Sequence, residues 1–592
     1  MQPAASSNHW AFLPPRRPAV PKVRHPEWTR NPVDAFVLAR LEREQVAPSP
    51  EADRATLLRR LALDLVGLPP SPEDVAAFVA DSDPGAYGRW VDQWLASPQF
   101  GERWGRHWLD LARYADSSGY QVDRERPWAW VYRDWVLRSH NADQPFDEFT
   151  VWQIAGDLVE AQRKGAEGRD ALIAAGFHRM TLSNHEDGID AAEFAARARV
   201  DRVATTGLAW MGLTLGCAEC HSHKYDPISQ REFYQVYAFF NAAEERDSDV
   251  GDGVHAYTFH PAAAAPKTFV HIRGDFLRHG EEVQPGVLSA VGPAWMPSST
   301  NGIPSRLDLA RWVASPENPL TARVAVNQIW LHLFGRGLVA TTEDFGVRGE
   351  APSHPELLDW LALEFQERGW SRKAMIRLLV MSSTYRQASL ARPKLAERDP
   401  ENRLLARQNR LRLESEILRD SSLAVGGMLN ERMGGPSFRP AMPADIKWLG
   451  TAGAWSWTDD TGPVLFRRSL YSFSQRTVPH PLLATFDQSN PNESCTRRDR
   501  SNTPLQSLTL LNNEVFAGAA RALSARLSEE RPGDPRGQVD RGFQLCVGRN
   551  PTRVEQRRLE ALMKEVEGLG KTNGLFVLAQ TLLSLDEFQH RE

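Results

Sequence analysis

The sequence has no excess of positive charge, no apolar run long enough to cross a membrane, no leader-like start, and few cysteines. With 70 basic against 75 acidic residues and a net charge of −5, it lacks the long-range positive field that sequence-independent nucleic-acid binding needs, so nucleic acid is not an expected partner. The longest membrane candidate, between Arg202 and Glu219, has 16 uncharged residues and includes Gly207, Gly212 and Gly216. A spanning helix takes roughly 20 apolar residues, so no transmembrane segment is expected. Met1 to Asn8 shows no basic stretch followed by an apolar one, so no export signal is visible. There is also no internal repeat, heptad run or low-complexity tail. Of four cysteines, Cys495 and Cys546 are far apart in sequence and read as buried free thiols.

What is present is a long chain of ordinary globular composition, 592 residues with 42% hydrophobic content, too long for one compact core. Leu, Ala, Arg and Glu are abundant and the 19 Trp fall mostly in helical patterns, so the expected fold is mainly α: two helical domains with a small β-containing insert between them. Residues 1–50 read as a Pro-rich N-terminal arm and 51–240 as the first helical domain. Residues 241–300 read as a linker or small β insert, where Thr268 to Ile272 alternates in strand fashion, and 301–592 as a second helical domain. Ser71-Pro72-Glu73-Asp74 supplies a helix start with a capping box, and Ser305 to Asp308 and Ser353 to Glu356 do the same further on.

The chemistry-bearing segment is Cys217-Ala218-Glu219-Cys220-His221. CxxCH is the attachment signature of c-type haem: two thiols on one turn reach the two vinyl groups of one macrocycle edge, and the adjacent imidazole falls under the iron. Zinc is the alternative, with Cys217, Cys220 and His223 as ligands and Asp226 or a distant residue completing the set; His221 is a further metal-ligand candidate. A redox disulfide between Cys217 and Cys220 lacks the βαβ context it usually has.

The run from Cys217 to Pro227, with Arg231 to Tyr234 and Tyr237 to Phe240, resembles a planctomycete-type cytochrome-c-associated family whose CxxCH-bearing domain is one of unknown function. Gly101 to Trp104, His107 to Asp116 and Asp201 to Thr206 are in the same style. The second half is similar to the usual C-terminal companion domain of that family, through Asn318 to Val324, Phe334 to Val339 and Ser501 to Gln506. The resemblance covers nearly the whole chain and implies an architecture more than a reaction. Many members have an export signal and a separate cytochrome c domain in front; this chain opens at the Asn8 to Phe12 stretch that normally follows them.

Other constellations carry two readings each. His107, Asp110 and Tyr114 are spaced to share one helix face, with Arg113 beside them; they form either a proton-transfer group or a buried ion-pair network. Glu186 and Asp187, in the oxygen-rich stretch Asn184 to Asp190, either hold a divalent cation or act as acid and base, or else cap the next helix. His178, Met180, His185 and Met211 are the candidate distal haem ligands, and an open sixth position would make the iron an enzyme centre rather than a carrier. Arg467, Arg468, Arg476, Arg497, Arg498 and Arg500 form a basic cluster suited to inter-domain salt bridging or to anion binding.

The expectation is therefore an exported, periplasmic or otherwise extracytoplasmic protein with one haem c and a second, divalent cation. It acts as an oxidoreductase or electron-transfer partner on a polar, carbohydrate-like substrate, with a redox partner that is itself a cytochrome c. The alternatives are a zinc-bearing scaffold and a metal-assisted hydrolase using the Glu186 loop.

Overall fold

The computed structural model describes residues 8–592 except 164, 264–265, 293–301, 450, 452, 454 and 571–572. The first seven residues of the N-terminal arm and the end of the expected insert thus lie outside the described residues.

The chain is mostly helical, and local sequence explains many of its helix starts. Asn31 accepts from Val33 N–H and Asp34 reaches back to close a capping box on helix Pro32–Arg43, so a helix occupies residues expected to belong to the arm. Ser71 and Asp74 close the expected box on Pro72–Ala80, and Ser305 with Asp308 does so on Arg306–Val313. Among the described residues the strands form three two-stranded antiparallel sheets. One pairs Ala243–Gly251 with Val254–Pro261, one pairs Thr268–His271 with His279–Val283, and one ties Leu411–Arg412 to the C-terminal His590–Arg591.

Two separate helical domains with a β insert between them are not what forms. One hydrophobic core runs without a break from Ala11 through helices of both halves to Tyr471. A smaller second core joins residues from Leu413 to Phe588 with Leu63 from the first half. Helices of the two halves meet directly: Pro32–Arg43 packs on Pro355–Glu367, Ala86–Ala96 on Arg372–Val380, and Phe146–Glu160 on Arg306–Val313. Asp34 makes this contact polar as well, since its buried carboxylate accepts from Ser383 and Thr384 N–H at 2.9 and 2.8 Å. The hairpins are not a spacer. Strand Val254–Pro261 lies on helices Ala129–Asn141, Phe146–Glu160 and Ala166–Ala174, and strand Thr268–His271 lies on helix Gln230–Asn241. Hydrophobic periodicity marks which face of a helix is covered, not which element covers it, and here the covering elements come from the other half of the chain.

Candidate functional site

Two places carry chemistry. The first is the CxxCH turn. Helix Ala191–Thr206 runs into a π-type turn, Gly207–Met211, and then reverses at Gly212, whose φ of +59° and approach to Phe345 leave no room for a side chain. A short 3₁₀ turn, Leu215–Ala218, follows. Leu215 and Ala218 face inward, so Cys217, Cys220 and His221 are left exposed and both thiols are free. The turn is clamped from below: the Glu219 carbonyl accepts from Gln230 Nε2 at 2.8 Å and from the Tyr234 hydroxyl at 3.1 Å. His221 Nδ1 lies 2.7 Å from the Ser222 carbonyl. A bond there makes Nδ1 the protonated nitrogen and leaves Nε2 as a free lone pair. Gly274, at φ +77°, passes so close that a Cβ there would sit 2.7 Å from Cys220 Sγ.

Two free thiols beside an exposed imidazole are residues that could hold a haem, Cys217 and Cys220 through thioethers and His221 through its nitrogen. The zinc set does not assemble. His223 is buried, with Nε2 3.1 Å from the Thr214 hydroxyl and Nδ1 accepting from Asp226 N–H at 2.8 Å. Asp226 is buried too, and its carboxylate accepts from Val347 N–H at 2.7 Å. Both side chains hold the loop together, and among the described residues they do not draw together with the thiols as a ligand group.

The second place is the seam between the two halves. Helix Pro98–Leu111 approaches helix Ala129–Asn141 closely at Gly101 and Gly105, where any Cβ would meet Leu137. Trp104 and Trp108 fix its rotation by donating to the Asp64 carbonyl at 3.1 Å and to Gln153 at 2.9 Å. His107 and Asp110 are thereby turned toward the second half of the chain. Arg498 forks onto Asp110 at 2.6 and 3.0 Å and onto Glu416 at 2.6 and 3.0 Å, while Arg106 bridges the same two carboxylates. Arg103 pairs with Glu414 at 2.6 Å. Burial alone would raise both glutamates, but Arg498 and Arg106 pull Glu416 down to about 2, and Arg103 and Arg498 hold Glu414 below the usual carboxylate range. His107 stacks on His332 with ring centroids 3.4 Å apart. Burial keeps both imidazoles neutral, His107 far below its ordinary value and His332 down at about 3.

The remaining candidates fall apart from these two places or beside them. Helix Pro98–Leu111 ends before Tyr114, so the expected three-residue face breaks: Arg113 takes a left-handed φ of +57° and pairs with Asp201 at 3.1 Å, while the Tyr114 hydroxyl donates to Asp116. Glu186 accepts from Gln121 N–H at 3.0 Å, Asp187 is exposed, and Asp190 caps helix Ala191–Thr206. Among the described residues that loop gathers no metal-ligand group. Of the distal ligand candidates, His178, Met180 and Met211 are buried and His185 is exposed. His178 lies among Phe177, Trp210 and Phe240.

The arginine cluster does bridge the halves. Its partners are the distant Asp110, Glu102 and Asp420 and the Arg113 and Met180 carbonyls, not the adjacent Asp487 and Asp499. His332, Glu414 and Glu416 give no sign in the sequence, because His332 and Glu416 stand in ordinary helical patterns, Glu414 just precedes a helix, and no motif surrounds any of them. Cys546 is buried; Cys495 is half-buried, and burial pushes its thiol up to about 11.

His107 and His332 line two small cavities at once. One is largely apolar, with Trp104, Trp108 and Phe146 in its wall. The other is polar, with Asp110, Glu414, Cys495 and Arg498. Two larger grooves lie elsewhere, one of about 500 Å³ between Trp152, Arg163, Arg311 and Trp312 and one of about 780 Å³ between Phe12, Pro227, Ser289 and Leu363.

Residues 32–245 match the family model PSCyt2, a protein of unknown function (DUF1549). Residues 305–563 match PSD1, a protein of unknown function (DUF1553). The two domains stand in the order the sequence resemblance implied, and between them Ala256, Val270, Val283, Leu288 and Val291 belong to the larger shared core. No curated protein and no solved structure matches the chain.

Proposed function

We propose that this chain of two consecutive domains of unknown function is an extracytoplasmic protein bearing one haem c, and that it works as an oxidoreductase or as the electron-transfer partner of one. The observation that carries the reading is the CxxCH turn: two free thiols and an imidazole exposed together, with His221 oriented by the Ser222 carbonyl so that Nε2 is free. Attachment adds each S–H across a vinyl C=C, so no atom leaves and no oxidant is consumed. Bound haem supplies one-electron chemistry at iron. The protein's part is to hold the two thiols outward on a clamped turn, to fix the imidazole, and to keep the edge beside Cys220 free of a side chain at Gly274.

An oxidoreductase role draws support from packing continuity. Trp210, shortly before the motif, contacts Trp108 at 5.5 Å, and Trp108 is the neighbour in sequence of His107. A separate cytochrome c is the electron partner in this reading. For a polar, carbohydrate-like substrate, the groove beside Trp152 and Arg163 offers aromatic and charged side chains together in a space of about 500 Å³. No helix among the described residues is long and apolar enough to cross a membrane.

The test is secretion from a host with working cytochrome maturation machinery, followed by a pyridine haemochrome spectrum on acid-acetone-extracted protein and an intact mass. The expected result is one thioether-bound haem per chain, absent when Cys217 and Cys220 are both serine. A colourless chain of bare polypeptide mass ends the proposal.

A further inference from the structure

Haem attachment at the CxxCH turn requires nothing of the stacked histidines in the seam. We propose that His107, His332 and Glu414 bind one first-row divalent transition-metal ion, at a site separate from the CxxCH turn. Their ligand atoms all lie within 4.8 Å of one another, although the residues come from helix Pro98–Leu111, the last turn of helix Thr321–Phe334, and the residue before helix Ser415–Val425.

The histidines are not explained by the ion-pair network around them. Arg498, Arg106 and Arg103 satisfy Asp110, Glu416 and Glu414, whereas neither imidazole takes part in an ion pair. His107 is 8% exposed, yet its Nε2 is buried without a hydrogen-bond partner, and so is Oε1 of Gln328 on the same cavity wall. A buried polar atom left unpaired is destabilising, and here two such atoms belong to residues that line the same cavity. An ion at the centre of the set gives a nitrogen lone pair of this kind a partner. Glu414 has an oxygen to give: Oε2 is held by Arg103 at 2.6 Å, but Oε1 only at 3.4 Å.

The donor set selects the class of ion. Two imidazoles with one carboxylate suit zinc or ferrous iron, whereas magnesium and calcium prefer all-oxygen shells. With metal–nitrogen bonds of about 2.0–2.1 Å, tetrahedral ligands stand roughly 3.4 Å apart. Loading therefore draws the three groups together by no more than about 1.4 Å, since their ligand atoms already lie within 4.8 Å of one another, and turns the stacked rings until their lone pairs converge. The small cavities on either side of the pair, about 60 and 20 Å³, leave room at the open coordination positions for water-sized ligands.

The experiment is equilibrium dialysis of chelator-stripped, full-length protein against Zn²⁺ with elemental analysis, run on the wild type and on the Cys217→Ser/Cys220→Ser double variant. Both are expected to take up one equivalent, so this result stands or falls independently of the haem. His107→Gln and His332→Gln are each expected to weaken uptake by about 100-fold or more, and Glu414→Gln by about 10-fold or more. X-ray absorption at the zinc edge of the double variant checks the same point without touching the histidines. The expected shell is imidazole nitrogen and oxygen near 2.0–2.1 Å with no sulfur near 2.3 Å. No saturable uptake, undiminished uptake by a folded His332→Gln chain, or a shell without imidazole scattering would each overturn the site.

Discussion

The CxxCH turn and the seam around Arg498 are built in opposite ways. In the turn, every reactive group comes from one short stretch, stands in solvent, and needs the rest of the fold only as a clamp on the Glu219 carbonyl. In the seam, Asp110, Glu416 and Arg498 come from distant segments and are buried with side-chain exposures of 5, 5 and 8%, so each exists as a charge only because the others are there. An exposed cluster can lose a member and remain as it was. A buried network cannot, because the survivors are left unpaired in a medium that penalises charge.

The largest effect that sharpens this contrast is Arg498→Ala, which removes both forks and leaves two buried carboxylates to share Arg106 alone. The expected loss is about 3–5 kcal/mol of unfolding free energy, read as a shift in urea midpoint. A loss below about 1 kcal/mol would mean that water reaches the seam and that the two regions do not differ as described.

Acid is a gentler probe of the same network. The Glu416 carboxyl titrates at about 2 in the folded chain against an ordinary 4.5. Its folded value is depressed, so the unfolded chain takes up the proton first as pH falls. The stabilisation is complete above pH 4.5 and is lost as pH drops toward 2. The urea midpoint is expected to fall between about pH 5 and 2, and to fall less steeply in Glu416→Gln. Parallel curves for the two proteins would remove Glu416 from the account.

Gly274→Ala probes the contact between the hairpin connection and the turn. The φ of +77° disfavours any side chain, and the new Cβ would stand 2.7 Å from Cys220 Sγ. About 1 kcal/mol of stability is expected to go, with a clear drop in haem per chain. Full haem loading would mean that the loop moves aside at no cost.

How much of each region is legible in the sequence follows from how it is made. CxxCH is readable because its two thiols and imidazole stand in one short stretch of the chain, and capping boxes such as Ser71 to Asp74 are readable because they are local hydrogen bonds. Asp110 is legible as a buried ion-pair residue beside arginines, but its partner Arg498 stands next to Asp499 in the chain and reads as that residue's neighbour. Sequence proximity says nothing about which distant carboxylate faces a guanidinium. The two-domain division fails for a related reason: Leu57 to Leu65 marks an apolar face, yet Leu63 belongs to the smaller core with residues 413 to 588 while Leu61 belongs to the larger one. His332 and Glu414 escape sequence reading altogether, because the last turn of one helix and the residue before another carry no pattern that names a partner.

The smallest effect tests the contrast from the other side. Replacing Cys217 and Cys220 by serine exchanges two exposed thiols for hydroxyls of similar size, with Leu215 and Ala218 still buried beneath them. A surface change that breaks no buried contact is expected to move the haem-free chain by no more than about 0.5 kcal/mol, while abolishing covalent haem entirely. The comparison has to be made between haem-free chains, since bound cofactor adds its own stabilisation by mass action. If the double variant instead unfolds as readily as Arg498→Ala, the thiols are part of the structural core, and an exposed attachment turn is the wrong description of this segment.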